Sequence, residues 1–269
     1  MGTLSGKVAI VTGAGRLRGI GRACAVALAQ EGADVVVTGT GRRPAAFPPD
    51  EKAVGWRDIE STAEQVRATG RRCLPLVSDV TNGEQVQHAV DRTLAEFGRV
   101  DILVNNAAFA RGPDRVPVLE MNDDVFRRVL EVKVVGSYLF SKAVARALIK
   151  QRQGGSIVNL SSIAGRRGSA NTSAYNASNF AIHGFTQALA QEMAPHNIRV
   201  NAVCPGVTDT SRMDDLGRGE RWEATLARIP LKRAATDEEV GRIIAWLCGP
   251  DASFITGQHL NVDGGMVMD

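Results

Sequence analysis

A short apolar run, Val8-Ala-Ile-Val11, stops at the glycine-rich turn Thr12-Gly13-Ala-Gly15-Arg-Leu-Arg-Gly19-Ile-Gly21, and a helical pattern follows at once. No other feature narrows the fold as much. An apolar run this short, ended by glycine, reads as a strand buried on both faces. Glycine lets the backbone turn sharply and lie close to a bound group. The free amides that open the next helix favour an anion. A strand, glycine turn and helix in succession therefore point to a dinucleotide, with its pyrophosphate at the helix N-terminus. Alone the turn is a moderate signal, because many turns are glycine-rich.

The alternation continues along the chain. Lys7–Thr12, Ala33–Thr38, Cys73–Val77, Val100–Asn105, Ser156–Ser161, Ile198–Cys204 and His259–Val262 read as strands. Ile20–Glu31, Asp58–Ala68, Gly83–Phe97, Asp123–Gln151, Ala174–Met193 and Asp237–Cys248 read as helices. This predicts an α/β fold: a Rossmann-type doubly wound parallel sheet of about seven strands, forming a single domain over residues 1–269. Ligands of such sheets bind beyond the carboxyl ends of the strands. Two stretches interrupt the pattern. Residues 39–57 form an extended loop in which Pro44, Pro48 and Pro49 are expected to block regular structure. Residues 207–235 are less regular.

Composition removes several classes. The 32 basic residues are dispersed among 29 acids, with no basic stripe or aromatic platform for nucleic acid. Cys24, Cys73, Cys204 and Cys248 have neither metal-like nor disulfide-framework spacing and read as buried free thiols, so no metal site is expected. No signal peptide precedes the first strand and no apolar run would span a bilayer. Gly6 stands where myristoylation wants Ser or Thr. No membrane partner is expected, and a soluble cytoplasmic protein is the default.

The end of the second strand bears on the cofactor. An acid there holds a ribose 2′-hydroxyl, whereas arginine favours a 2′-phosphate. Thr38-Gly-Thr-Gly41-Arg42-Arg43 has two arginines and no acid, and Arg16 and Arg18 lie in the glycine turn. NADP (NADPH) is favoured and NAD is possible. The alternative is that these arginines merely coat a solvated loop.

More segments follow in a telling order: Asp79-Val80, Asn105-Asn-Ala-Ala108, Ser161-Ser162, Tyr175, Pro205-Gly206, Ile255-Thr-Gly257 and Asp263-Gly-Gly265. With the glycine turn they make the whole chain resemble the short-chain dehydrogenase/reductase family. The resemblance implies an NAD(P)-dependent oxidoreductase, a ketone reductase or alcohol dehydrogenase acting on a small carbonyl or secondary alcohol. A C=N substrate is a minor alternative. It implies cofactor contacts from Gly13, Gly15, Arg18, Gly19, Ile20 and Gly21, and from Arg42 and Arg43. Asp79 and Val80 would meet the adenine, Asn105 and Ala107 the adenosine side. Pro205, Gly206, Val207 and Thr210 would lie near the nicotinamide. Ser162, thirteen residues before Tyr175, would hold the substrate oxygen and Tyr175 would pass it the proton, leaving Ser161 as a strand-end residue. The family's substrate-covering segment falls on 207–235, with Arg212, Met213, Trp222 and Leu226 as pocket candidates. The two long helices and the C-terminus would build a homotetramer.

Four departures from the family pattern stand out. The glycine turn is two residues longer, Ala108 replaces a glycine, and the loop after the second strand is extended. The fourth is an exchange. Tyr175-Asn-Ala-Ser-Asn179 replaces Tyr-x-x-x-Lys, and Lys133 stands on the preceding long helix where the family carries an asparagine. A lysine one turn from the tyrosine shares its helix face and stabilises the phenolate. Lys133 lies between Val132 and Val134, a poor site for an idle charge. Lysine is also scarce: Lys7, Lys52, Lys133, Lys142, Lys150 and Lys232 are the whole set. The expected working set is Lys133, Ser162, Tyr175 and Asn179. The rival reading is a non-catalytic NADP(H)-binding protein that has lost its lysine.

Overall fold

Parallel strands must bury both faces, so each apolar run needs a helix to carry the chain back across the sheet. The computed structural model describes residues 2–268 and follows this logic. In chain order the elements are β1 (Val8–Val11), α1 (Ile20–Gln30), β2 (Asp34–Gly39), α2 (Pro49–Ala53), α3 (Ile59–Arg67), β3 (Cys73–Val77), α4 (Gly83–Phe97) and β4 (Ile102–Asn105). They continue with α5 (Asp123–Leu130), α6 (Gly136–Gln151), β5 (Gly155–Leu160), α7 (Ser173–Met193), β6 (Ile198–Pro205), α8 (Glu220–Leu226), α9 (Asp237–Cys248) and β7 (His259–Val262).

The strands form one seven-stranded sheet in the order β3-β2-β1-β4-β5-β6-β7, parallel throughout. Val8 pairs with Asp34, and Ala9 with both Val35 and Ile102. The order reverses between β1 and β4, which opens the crevice used by ligands of this architecture. The expected Rossmann-type sheet is therefore present.

Alternate residues of each strand feed two apolar layers. Ala9, Val11, Val35, Val37 and Val104 face the layer under α1, α3 and α9. Ile10, Val36, Leu103 and Ile157 face the layer under α4 and α6. Ile10 and Ile157 are completely buried, and each such side chain contributes about 1.5–3 kcal/mol. Gly241 lets α9 close on α1, since a Cβ there would lie 2.8 Å from the Ala23 carbonyl carbon. Among the described residues no helix is long and apolar enough to cross a membrane.

Three expectations need correction. The 39–57 loop is not devoid of regular structure: a 3₁₀ turn covers Pro44–Ala46 and α2 begins at Pro49. Proline at the first helical position loses only an amide that would lack a partner anyway. The long helix at 123–151 is interrupted, because Glu131–Val135 forms a π turn between α5 and α6. Within 207–235, a 3₁₀ segment (Ser211–Leu216) precedes α8.

Candidate active site

The turn after β1 bends back through Gly13, whose φ of 67° favours glycine. A Cβ at Gly13 would lie 2.8 Å from the Ala107 Cα, so the turn seats directly on the segment after β4. Asn106, not Asn105, fastens that contact, donating to the carbonyls of Thr12 and Gly13 at 2.9 Å each. The Asn105 carboxamide instead turns inward, to Ser141 Oγ (2.9 Å) and Asn159 Oδ1 (2.8 Å). Gly19 donates its amide to Asp237 Oδ2 at 2.8 Å. Among the described residues, the amides of Ile20 and Gly21 have no acceptor, so the N-terminus of α1 keeps free donors for a phosphate.

The extended loop folds back onto this turn. Trp56 Nε1 donates to the Gly15 carbonyl at 2.7 Å, and Arg42 reaches the same oxygen at 2.6 Å. Arg42 is also caged by acids: its guanidinium pairs with Glu51 (2.8 Å) and Asp58 (2.9 Å). Both carboxylates are buried. The end of β2 thus lacks an acid in sequence but has two in space. Asp58 stands close to Gly15, where a Cβ would come within 2.0 Å of its Oδ1, and near Gly39, where a Cβ would lie 3.8 Å from its Oδ2. Arg18 is committed too, to Asp50 (2.8 Å), Asp214 (2.5 Å) and Asp209 (3.5 Å). Arg43 is exposed.

Tyr175 sits in the first turn of α7, half-buried, and its hydroxyl makes no hydrogen bond among the described residues. Two guanidinium groups lie over its ring: Arg115 at 4.0 Å from the centroid and Arg212 at 5.2 Å. Arg212 is anchored by donating to the Phe109 carbonyl at 2.6 Å. Ser162 follows β5; its Oγ accepts from the Ala164 amide (3.2 Å) and donates to the Pro205 carbonyl (3.5 Å). Ser161 faces the interior, with its Oγ 2.9 Å from His183 Nε2 and 3.1 Å from the Asn179 carbonyl. Asn179 is completely buried. Its Nδ2 donates to the Tyr175 carbonyl at 2.8 Å, while its Oδ1 has no partner.

Lys133 lies in the π turn, 5% exposed. Burial pushes its ammonium down to about 7, and the nearby Arg212 adds to this against a weak pull from Cys204. No acid pairs with it among the described residues. Arg212 therefore lies within electrostatic range of both Lys133 and Tyr175, although no direct Lys133–Tyr175 contact is present. A π turn admits one extra residue and commonly accompanies functional side chains.

The remaining sequence candidates divide. Asp79 is at the surface, paired with Arg128 at 3.1 Å. The Val80 side chain is buried, and a Cβ on Gly136 would meet it at 2.6 Å. Gly206 packs on Asp263, Val207 accepts from the Ala235 amide, and Thr210 is buried. Of the pocket candidates only Arg212 reaches Tyr175; Trp222 is buried under Arg218. Sequence reasoning missed Arg115, Glu51 and Asp58. For Arg115 a signal existed: it follows β4, whose carboxyl end faces the crevice.

The chain offers a dinucleotide free amides at α1 and a glycine turn held against Ala107. These fit the group.

Comparison with known proteins gives the same frame. Residues 13–267 match the family model described as Enoyl-(Acyl carrier protein) reductase. The chain is 39% identical to the short chain dehydrogenase/reductase astE of Aspergillus oryzae, over 98% of this chain and 96% of that one. It is 34% identical to the 3-oxoacyl-(acyl-carrier-protein) reductase FabG of Thermotoga maritima, covering 98% and 99%. The carveol dehydrogenase of Mycobacterium avium, solved in complex with NAD, superposes with a TM-score of 0.89 at 30% identity, covering 99% of each chain.

Proposed function

The chain belongs to the short-chain dehydrogenase/reductase family, and we propose that it is an active oxidoreductase interconverting a ketone and a secondary alcohol, with Tyr175 as acid/base. A bound nicotinamide would supply or accept the hydride. Tyr175 would give its hydroxyl proton to the substrate oxygen in reduction and take it back in oxidation. Ser162 would hold that oxygen through its Oγ–H. Asn179, fully buried, would act from within α7, its Nδ2 donating to the Tyr175 carbonyl. Below about pH 7, where it is protonated, Lys133 would supply the positive field that a lysine at position 179 would otherwise provide.

One observation carries this reading: Tyr175, in the first turn of α7, lies beneath two guanidinium groups, and one of them, Arg212, is also within electrostatic range of the buried Lys133. A chain that had merely lost its lysine has no reason to keep a second one in a buried site without a counter-ion. Burying an unpaired ammonium is costly.

For the cofactor, the reading moves from NADP towards NAD. The NADP expectation rested on Arg42 and Arg43, with Arg16 and Arg18 in the glycine turn; Arg42 and Arg18 are held by carboxylates, whereas Arg43 is exposed. Asp58 stands beside Gly15 and near the end of β2, where a carboxylate suits a ribose hydroxyl, while Glu51 is fully buried and holds Arg42 and the Leu17 amide. The solved carveol dehydrogenase, which carries NAD, supports this choice. For assembly, exposed Tyr138, Phe180 and Phe254 support a homotetramer.

The test is oxidation of NADH and NADPH by wild type, Tyr175→Phe and Lys133→Met against ketones, diketones and imines, from about pH 5 to about pH 10. Wild type should reduce ketones, Tyr175→Phe should lose about 100-fold or more, and Lys133→Met should be slow with an alkaline-shifted profile. Equal rates in wild type and Tyr175→Phe would sink the assignment. Cofactor binding without any turnover would favour the non-catalytic alternative.

A further inference from the structure

We propose that the substrate is an anion, a 2- or 3-oxo acid or the matching hydroxy acid, whose carboxylate is held by Arg212 and Arg115 beside Tyr175. This rests on the reading of Tyr175 as the proton donor and extends it to a substrate class.

Several half-buried arginines of this chain are paired with acids, whereas Arg166 and Arg199 rest on backbone carbonyls. Arg42 has Glu51 and Asp58, Arg18 has Asp50 and Asp214, and Arg22 has Asp237. Around Tyr175 the pairing fails. Arg111 is satisfied by Asp215. Arg115 has only its neighbour Asp114, at 3.6 Å, and neither Arg115 Nε nor Asp114 Oδ2 has a hydrogen-bond partner. Arg212 has a backbone carbonyl and no acid, and Lys133 has no acid at all among the described residues. Two guanidinium groups thus meet over the Tyr175 ring with one imperfectly placed carboxylate beside Arg115, and Lys133 lies within electrostatic range of Arg212. Arg115 is pushed below the ordinary arginine range chiefly by burial, with Arg212 and Arg111 adding to it against the pull of Asp114 and Tyr175.

A purely structural cluster would be costly in this form, since buried charges need partners. A negative group from outside the chain is the missing component. The dinucleotide pyrophosphate is a poor choice for it. That group belongs at the free amides of α1, whereas these cations gather at the tyrosine that meets the reacting carbonyl. A guanidinium offers two parallel N–H donors that match a carboxylate. Both guanidinium groups lie within 5.2 Å of the ring centre, which suits an acid group only one or two carbons from the carbonyl. The chemistry balances without further reagents. Hydride goes from reduced nicotinamide to the carbonyl carbon, the Tyr175 proton goes to the oxygen, and the carboxylate is unchanged.

The experiment compares 2-oxobutanoate and 3-oxobutanoate, each against its methyl ester, with wild type, Arg212→Gln, Arg212→Lys and Arg115→Gln. Wild type should favour acid over ester by about 10- to 100-fold in kcat/KM, the value of a charge-assisted hydrogen bond. Arg212→Gln and Arg115→Gln should collapse that ratio, and Arg212→Lys should restore part of it. Thermal melts identify a variant that fails to fold, and the lysine variant then carries the test. Esters reduced as well as acids, or a ratio unmoved by substitution, overturn the proposal and leave the oxidoreductase reading standing. A raised cofactor KM with an unmoved ratio also overturns it, assigning the cations to the dinucleotide. If nothing is turned over, calorimetric titration of butanoate into the NAD-loaded protein is the readout. Binding that Arg212→Gln removes supports the carboxylate site while the redox reading falls, and no binding overturns the proposal.

Discussion

Replacing Lys133 with methionine should make stability depend less on pH, with a sign the structure fixes. Lys133 is held at about 7 against an ordinary 10.5, chiefly by burial. Its pKa is depressed on folding, so the unfolded chain binds the extra proton between those two values. Stability of the wild type therefore rises with pH through that window. Below about 7 both states are protonated and the whole burial cost is present; above 10.5 both are neutral and it vanishes. At about 1.4 kcal/mol per pH unit the cost reaches about 5 kcal/mol. Methionine keeps the length and apolar stem without the charge. Lys133→Met should thus exceed wild type in stability at about pH 6, by a margin approaching that figure. The margin should shrink by about 1.4 kcal/mol per pH unit between about pH 7.5 and about pH 9.5. Urea unfolding of the cofactor-free proteins at several pH values, with equal m-values, measures it. A margin constant within about 0.5 kcal/mol across that range would refute the buried, uncompensated lysine, and with it the premise that position 133 is kept for chemistry.

Three other outcomes are expected. Glu51→Gln with Asp58→Asn should release Arg42 and move the NADH-to-NADPH preference by about 10-fold or more towards NADPH, read as the ratio of kcat/KM. Asn179→Lys should depress turnover when Lys133 is present, by adding a like charge, and raise it in a Lys133→Asn background; the four-variant cycle should be non-additive by about 1 kcal/mol or more in transition-state free energy. Ser161→Ala should cost about 0.5–1.5 kcal/mol of stability through its lost bonds to His183 and the Asn179 carbonyl with little change in kcat, whereas Ser162→Ala should lower kcat about 100-fold.

Most of the scaffold was legible because its signals are local. The apolar runs at Val8–Val11, Cys73–Val77 and His259–Val262, and the helices Gly83–Phe97 and Asp237–Cys248, are fixed by periodicity and by glycine or capping residues within a few positions. Asn82 caps α4, and Thr236 with Glu239 closes a capping box on α9. The places of Ser162 after β5 and of Tyr175 in the first turn of α7 were legible because they follow a strand end and open a helix. The site was illegible where it depends on charges distant in sequence. Nothing near Arg42 announces that Glu51 and Asp58 fold back on it, because ion pairing has no period. Arg115 could be found only through topology, once the end of β4 is known to face the crevice. The π turn at Lys133 has no pattern of its own; Val132-Lys-Val-Val135 reads as ordinary helix.

That turn has a mechanical consequence. It divides one continuous rod into parts of unequal stiffness. α6 is anchored in the core by Phe140, Val144 and Leu148. α5 buries only Val129 and is tethered at its side by the Arg128–Asp79 pair. A widened helical turn bends more readily than the regular helix on either side. The seam is therefore the softest point along the rod, and it is braced from one side, since α5 and the π turn both pack on α7.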